Sequence, residues 1–275
     1  MTDGSLATSD IVRAAAKAGE PDRYLAALLA PSGQRGDLVA LAAFLAEIAR
    51  VGQDVSDPML GEIRLQWWRD TLLVQNAQAT GSPVADAFAA TISRRKLSTE
   101  LIADSIDAHA HRLYPDPPAD DAALLLALQL SEGSAFKLAA HILGADVDAH
   151  SQAIDAAAQA YGLARLGLRL PYELAQGRCP LPQSWIGPEK PAENQAWRPA
   201  IARLCGKARG QYAVVKGAFA SLRWQLKVTM LPVALVEPYL RALEREGHDP
   251  ARDIAEVAPL ARTTRIGWAH VRGRL

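Results

Sequence analysis

The densest chemical signal in the chain is Tyr161 to Pro182, YGLARLGLRLPYELAQGRCPLP. Its pattern is an apolar helix with two arginines, Arg165 and Arg169, one turn apart and on one face. Such a helix can line a lipid-sized cavity and offer guanidiniums to an anionic head by charge-assisted hydrogen bonds. Arg50 and Asp54 are also one turn apart, the spacing of an ordinary surface ion pair. The run GEIRLQWWRD, Gly61 to Asp70, carries Arg64, Trp67, Trp68 and Arg69 on one helix. Adjacent tryptophans diverge, so at least one is expected in the core, and Arg64 can stack on Trp68. The run reads as a core helix with a polar edge or as the wall of an anion-binding or apolar pocket. Glu100, Asp104 and Asp107 share a face that can hold a divalent cation. Acids at a helix start also offset the macrodipole, and a solvated acidic face is the expectation. His109 and His111 splay apart on a helix. Cys179 and Cys205 stand in no metal or redox spacing, and no HExxH, Walker loop or GxSxG occurs.

These groups need elements to hold them. Apolar residues recur every three or four positions: Leu38, Leu41, Leu45, Ile48, and later Leu204, Ala208, Tyr212, Val215, Phe219, Leu222. Further helices are expected over Tyr24–Leu29, Met59–Gln75, Val84–Ser93, and Thr99–Leu113 with Ser98 or Thr99 as cap. Ala122–Leu143 is expected to be interrupted near Ser131–Ser134. Asp148–Pro171 is expected to stop at its proline, and Val233–Leu243 follows near the end. Pro180–Pro199 reads as a loop anchored by Trp185, Ile186 and Trp197, a cover or a docking surface. No strand alternation or repeat occurs, so the expected class is a single all-α domain of about eight to eleven helices. Residues 1–20 read as a flexible start, 21–250 as the domain, and 251–275 as a basic tail with Arg262, Arg265, Arg272 and Arg274. That tail is expected to be solvated or to meet acidic lipid or a protein partner.

Composition narrows the class. The 275 residues are 49% hydrophobic, and 30 Lys plus Arg balance 30 Asp plus Glu. A neutral chain has no global pull toward nucleic acid. Two cysteines fit a reducing compartment. No basic region precedes an apolar run at the start, and the longest apolar stretch, Ala122–Leu130, falls short of the ~20 residues of a membrane span. A cytoplasmic protein, at most peripheral to the inner membrane (or in the mitochondrial matrix), is expected.

Several stretches together resemble the squalene and phytoene synthase family. They are Asp22-Arg23-Tyr24-Leu25 with Ala30-Pro31, Leu41-Ala42-Ala43-Phe44, Gly61 to Leu72, Ser82-Pro83-Val84-Ala85, and Gly162-Leu163-Ala164 through Gly177-Arg178 and Leu181-Pro182. The resemblance implies the all-α isoprenoid-synthase fold around a central cavity that takes a prenyl diphosphate or lipid. Active members join prenyl diphosphates head to head, with two aspartate-rich motifs holding Mg²⁺. Here the first motif aligns with Ala49, Arg50 and Gln53, with only Asp54 acidic beside them. The second aligns with Arg169 and Glu173. A cation at a ligand position removes an oxygen and repels the metal. Gly61 to Trp68 and Leu168 to Tyr172 resemble more narrowly the branch that includes the mitochondrial complex I assembly factor, which lacks the aspartate motifs. That implies a respiratory-complex protein partner.

Three expectations follow, in this order. The chain is a non-catalytic scaffold or assembly factor, needing no cofactor. Or it binds a prenyl diphosphate or lipid without metal, with Arg50 facing Arg169. Or it remains a prenyltransferase, with Asp54, Glu47 and Glu173, and Glu62 or Asp70, converging on Mg²⁺. The candidate substrate- or anion-binding residues are Arg50, Asp54, Arg64, Arg69, Arg165, Arg169, Glu173 and Arg178.

Overall fold

The breaks between helices coincide with caps and prolines. Ser82 accepts from the Ala85 N–H and Ser98 from the Leu101 N–H, while Asp120 accepts from Ala123, each opening a helix. The structure, a computed structural model, describes residues 3–55, 57–73, 79–186 and 197–275, and of residues 3–8 the backbone alone. In order, the helices are α1 (Asp3–Gly19), α2 (Pro21–Leu28), α3 (Ser32–Asp54), α4 (Pro58–Leu73), α5 (Pro83–Arg95), α6 (Thr99–His111) and α7 (Asp121–Leu128). They continue with α8 (Ser134–Ile142), α9 (Ser151–Ala175), α10 (Gln183–Ile186), α11 (Arg198–Phe219), α12 (Trp224–Thr229), α13 (Val236–Leu243) and α14 (Pro259–Arg272). The described residues contain no strand, so the class is all-α.

Two apolar clusters make the core. One joins α9, α11 and α13 through residues such as Tyr161, Leu163, Leu204 and Leu240. The other joins α3, α4 and α5, where the Phe44 ring stacks on Phe88 and meets Trp68 edge-on. The stripe from Leu204 to Leu222 is buried throughout.

Three expectations about elements need correction. Residues 3–19 are not a loose start: α1 lies along α3, with Val12 and Ala16 buried. A Cβ at Gly19 would sit 2.4 Å from Ala46 Cβ, so that glycine sets the close approach of the two backbones. The expected break near Ser131–Ser134 is present, as a π turn rather than an end of the helical run. This turn, Gln129–Gly133, joins α7 to α8, giving one run, Asp121–Ile142, that is apolar and long enough to cross a membrane, with less than half of its apolar stretch buried. α9 does not stop at Pro171 but continues to Ala175. An interior proline costs about 3 kcal/mol, and here Glu173, just beyond it, is anchored by two arginines. Finally, residues 259–272 form α14, packed on α2 and on the 3₁₀ turn Leu231–Leu235, with Ile266 and Ala269 buried. Trp185, Ile186 and Trp197 are buried, so they anchor the chain to the core rather than offer a docking surface. The expected helix end at Gln75 and residues 187–196 lie outside the described residues.

Candidate functional site

A cavity of about 510 Å³ opens between α6, α7, the π turn and α9, with Glu20 and Arg23 from the start of α2 and Arg178 beyond α9. Leu124, Leu128, Ala108 and Leu166 supply apolar wall. Gly162 makes room for it: a Cβ there would lie 2.8 Å from Leu128 Cδ2 and 3.2 Å from Glu132 Cγ.

At one end, four charged side chains close on one another. Arg165 Nη2 lies 2.6 Å from Glu20 Oε1 and Nη1 3.1 Å from Glu132 Oε1. Arg23 Nε lies 3.3 Å from Glu20 Oε2, and its Nη2 donates to Glu132. The Arg23 guanidinium also rests 4.7 Å from the centre of the Phe136 ring. Burial pushes the Glu132 carboxyl up, but the Arg165 and Arg23 charges outweigh it and hold it at about 2. Burial lowers Arg165, and Glu20 and Glu132 more than reverse that. Two cations and two anions balance here. Beside them Asp22 accepts from Tyr161 Oη at 2.8 Å and from Tyr239 Oη at 2.5 Å, and lies 3.0 Å from Arg262 Nε.

The other end does not balance. Glu173 Oε1 accepts from Arg112 Nη2 at 2.5 Å, and Oε2 from Arg178 Nε at 2.9 Å. Burial raises Glu173, while Arg112 and the hydrogen bond from Arg178 lower it below the usual carboxylate range. Arg178 also donates to the Gly52 carbonyl on α3. Arg169, one turn before Glu173, has no ion pair within 4.0 Å among the described residues. The Arg112 charge, then burial, then the Arg165 charge bring its guanidinium down to about 9. His109 stands on the same wall, its Nδ1–H donating to the Ser105 carbonyl at 2.7 Å. Burial and then the Arg112 charge hold that imidazole down at about 3, so it is neutral at ordinary pH. Three arginines thus stand around one carboxylate, which bonds only Arg112 and Arg178. Such a set can take an anion by direct hydrogen bonds.

Arg165, Arg169, Glu173 and Arg178 therefore meet in one cavity. Arg50 does not face Arg169: it is exposed and pairs with Asp54 at 3.0 Å and Glu47 at 3.7 Å. Its neighbours Ala49 and Gln53 do border a small cleft with Arg169, Arg112 and Glu173. The two motif positions thus oppose each other, but α3 brings no acid. Arg64 is exposed on α4, and Arg69 pairs with Asp107 across to α6. Glu62 accepts from Tyr114 and Asp70 from Gln66, both exposed.

These residues do not fit a Mg²⁺ cluster. Both Glu173 oxygens are taken by arginines, and Glu47 and Asp54 are drawn to Arg50. Among the described residues no group of three or more His, Cys, Asp or Glu is arranged to hold a metal ion. Glu20, Arg23, His109, Arg112 and Glu132 were not foreseen. Their local signals are slight: a Glu–Arg pair three apart, an arginine closing α6, and one acid in a polar break.

Residues 16–264 match the model of the squalene/phytoene synthase family. The fold is similar to that of squalene synthase HpnC from Alicyclobacillus acidocaldarius, at 18% identity over 89% of this chain and 95% of that one, with a TM-score of 0.71. A dehydrosqualene synthase in complex with ligand is 15% identical over 97% of this chain and 96% of that one, TM-score 0.75. YisP from Bacillus subtilis subsp. subtilis strain 168 is 16% identical over 94% of this chain and 95% of that one, TM-score 0.71. A search of the curated proteins returned no match.

Proposed function

The chain belongs to the squalene/phytoene synthase family, and from that premise we propose that it binds a prenyl diphosphate, or a lipid with a similar anionic head, directly on arginines and without metal. The observation that carries this is Arg169, a cavity-lining cation crowded by Arg112 and Arg165 and lacking a carboxylate of its own. An anion between Arg169, Arg112 and Arg178 would relieve that repulsion, each charge-assisted contact being worth about 1.5–3 kcal/mol. The apolar wall at Leu124, Leu128 and Leu166 suits the hydrocarbon part, and about 510 Å³ is a ligand-sized volume. The head is held and not cleaved in this reading, since Glu20, Glu132 and Glu173 are each engaged by arginines and the remaining lining carboxylate, Asp116, is a single exposed group. That same observation favours a second reading, in which the protein is a non-catalytic scaffold for assembling a respiratory complex.

The test pairs turnover with binding. Purified protein is given farnesyl diphosphate with Mg²⁺ and pyrophosphate release is followed; no release above the protein-free control is expected. Equilibrium dialysis of farnesyl diphosphate in a chelator should show saturable binding. Release that disappears in Glu173→Ala would overturn the proposal in favour of a rebuilt metal site. Neither release nor binding would leave the scaffold reading.

A further inference from the structure

α14 carries two apolar stripes, and the core needs only one. Ile266 and Ala269 face inward, where Arg262 reaches Asp22 and Arg265 Nε donates to the Ala234 carbonyl. On the opposite side Leu260, Trp268 and Val271 fall at helical spacing and are 76%, 54% and 81% exposed. A surface helix is ordinarily polar on that side. The Arg272 guanidinium lies 4.2 Å from the Trp268 ring centre, and both are exposed. A second exposed tryptophan, Trp224, opens α12 one turn before Lys227. Lys227 Nζ is 3.5 Å from where a Cβ on Gly273 would sit, so α12 reaches the end of α14.

The charge is of one sign. Residues 257–275 contain four arginines and no Asp or Glu, in a chain whose net charge is zero. Arg223 and Arg274 are exposed near the same helix ends.

We propose that the outer face of α14, with Trp224 and Lys227 of α12, docks on an anionic lipid bilayer. Tryptophan suits the interface between headgroup and acyl chain, and arginines beside it meet lipid phosphates. A second copy of the chain is a poorer occupant. A two-fold contact through this face would bring together two copies of the same basic patch, with no acid in residues 257–275 to offset it. The surface lies on elements that do not line the cavity, so the inference stands independently of what the cavity binds.

The test is co-sedimentation of the full chain with vesicles of phosphatidylcholine alone or with about a quarter phosphatidylglycerol. Partitioning is expected to be roughly tenfold greater on the anionic vesicles and to weaken at about 0.5 M salt. Trp268→Gln with Val271→Gln, and separately Arg272→Gln with Arg274→Gln, should each lower it about fivefold or more while leaving the circular-dichroism melting curve unchanged. These side chains are exposed, so folding is not at stake. Absence of partitioning, equal partitioning of wild type and both variants, or a dimer in light scattering that Trp268→Gln dissociates would overturn the proposal.

Discussion

At the α2 end of the cavity, Arg23 and Arg165 meet Glu20 and Glu132; at the α6 end, Arg112, Arg169 and Arg178 meet Glu173 alone. Both ends are built on arginines, most of them half-buried, yet their charge balance differs. In the balanced set every charge has a partner, so the group ties α2, the π turn and α9 together and has no charge left for a ligand. In the unbalanced set the surplus is carried by Arg169, whose folded state is strained by like charge. The two charge sets meet along a single helix: Arg165 and Arg169 are one turn apart on α9 and belong to opposite ends.

The largest expected effect breaks the balanced end. Arg165→Ala leaves Glu20 and Glu132 to share Arg23 alone, two anions on one cation, and urea unfolding should show a loss of about 3–5 kcal/mol. A loss below about 1 kcal/mol would show that the set is not structural. Acid should act on the same end. The Glu132 carboxyl is held at about 2, below its unfolded value of 4.5. Its folded pKa is depressed, so its contribution is present above the unfolded value and lost as pH falls from 4.5 toward about 2. The pH dependence of the melting temperature should be steep in that window for wild type and shallower for Glu132→Gln.

Arg169→Gln sharpens the contrast. Removing the surplus cation should leave stability unchanged or raise it by up to about 1 kcal/mol, opposite in sign to Arg165→Ala. The smallest effect is expected outside the cavity: Arg50→Ala removes an exposed pair on α3 and should change stability by no more than about 0.5 kcal/mol.

The sequence revealed one side of this arrangement. Arg165 and Arg169 were legible because they interrupt an apolar helical pattern at a regular interval. Their partners were not, since Glu20 is 145 residues from Arg165, and Glu132 is 109 from Arg23. No local pattern records pairings of that range. Glu132 was hidden further because Ser-Glu-Gly-Ser reads as a break, whereas a π turn carries the helix through it and brings the carboxylate to the arginines. Composition also misled at both ends of the chain. Small residues masked the narrow buried stripe of Val12 and Ala16, and arginines masked Ile266 and Ala269. The Arg50–Asp54 spacing correctly read as a surface pair, whereas the family resemblance placed Arg50 in the site; its helical phase turns it to solvent while Ala49 and Gln53 border the cleft.

Calorimetric titration with inorganic pyrophosphate, in chelator at neutral pH, tests the unbalanced end most directly. Wild type and Arg50→Gln should bind alike, and Arg169→Gln at least about tenfold more weakly, a difference of roughly 1.4 kcal/mol. Equal binding by all three proteins, or binding by wild type only once Mg²⁺ is added, would contradict the account.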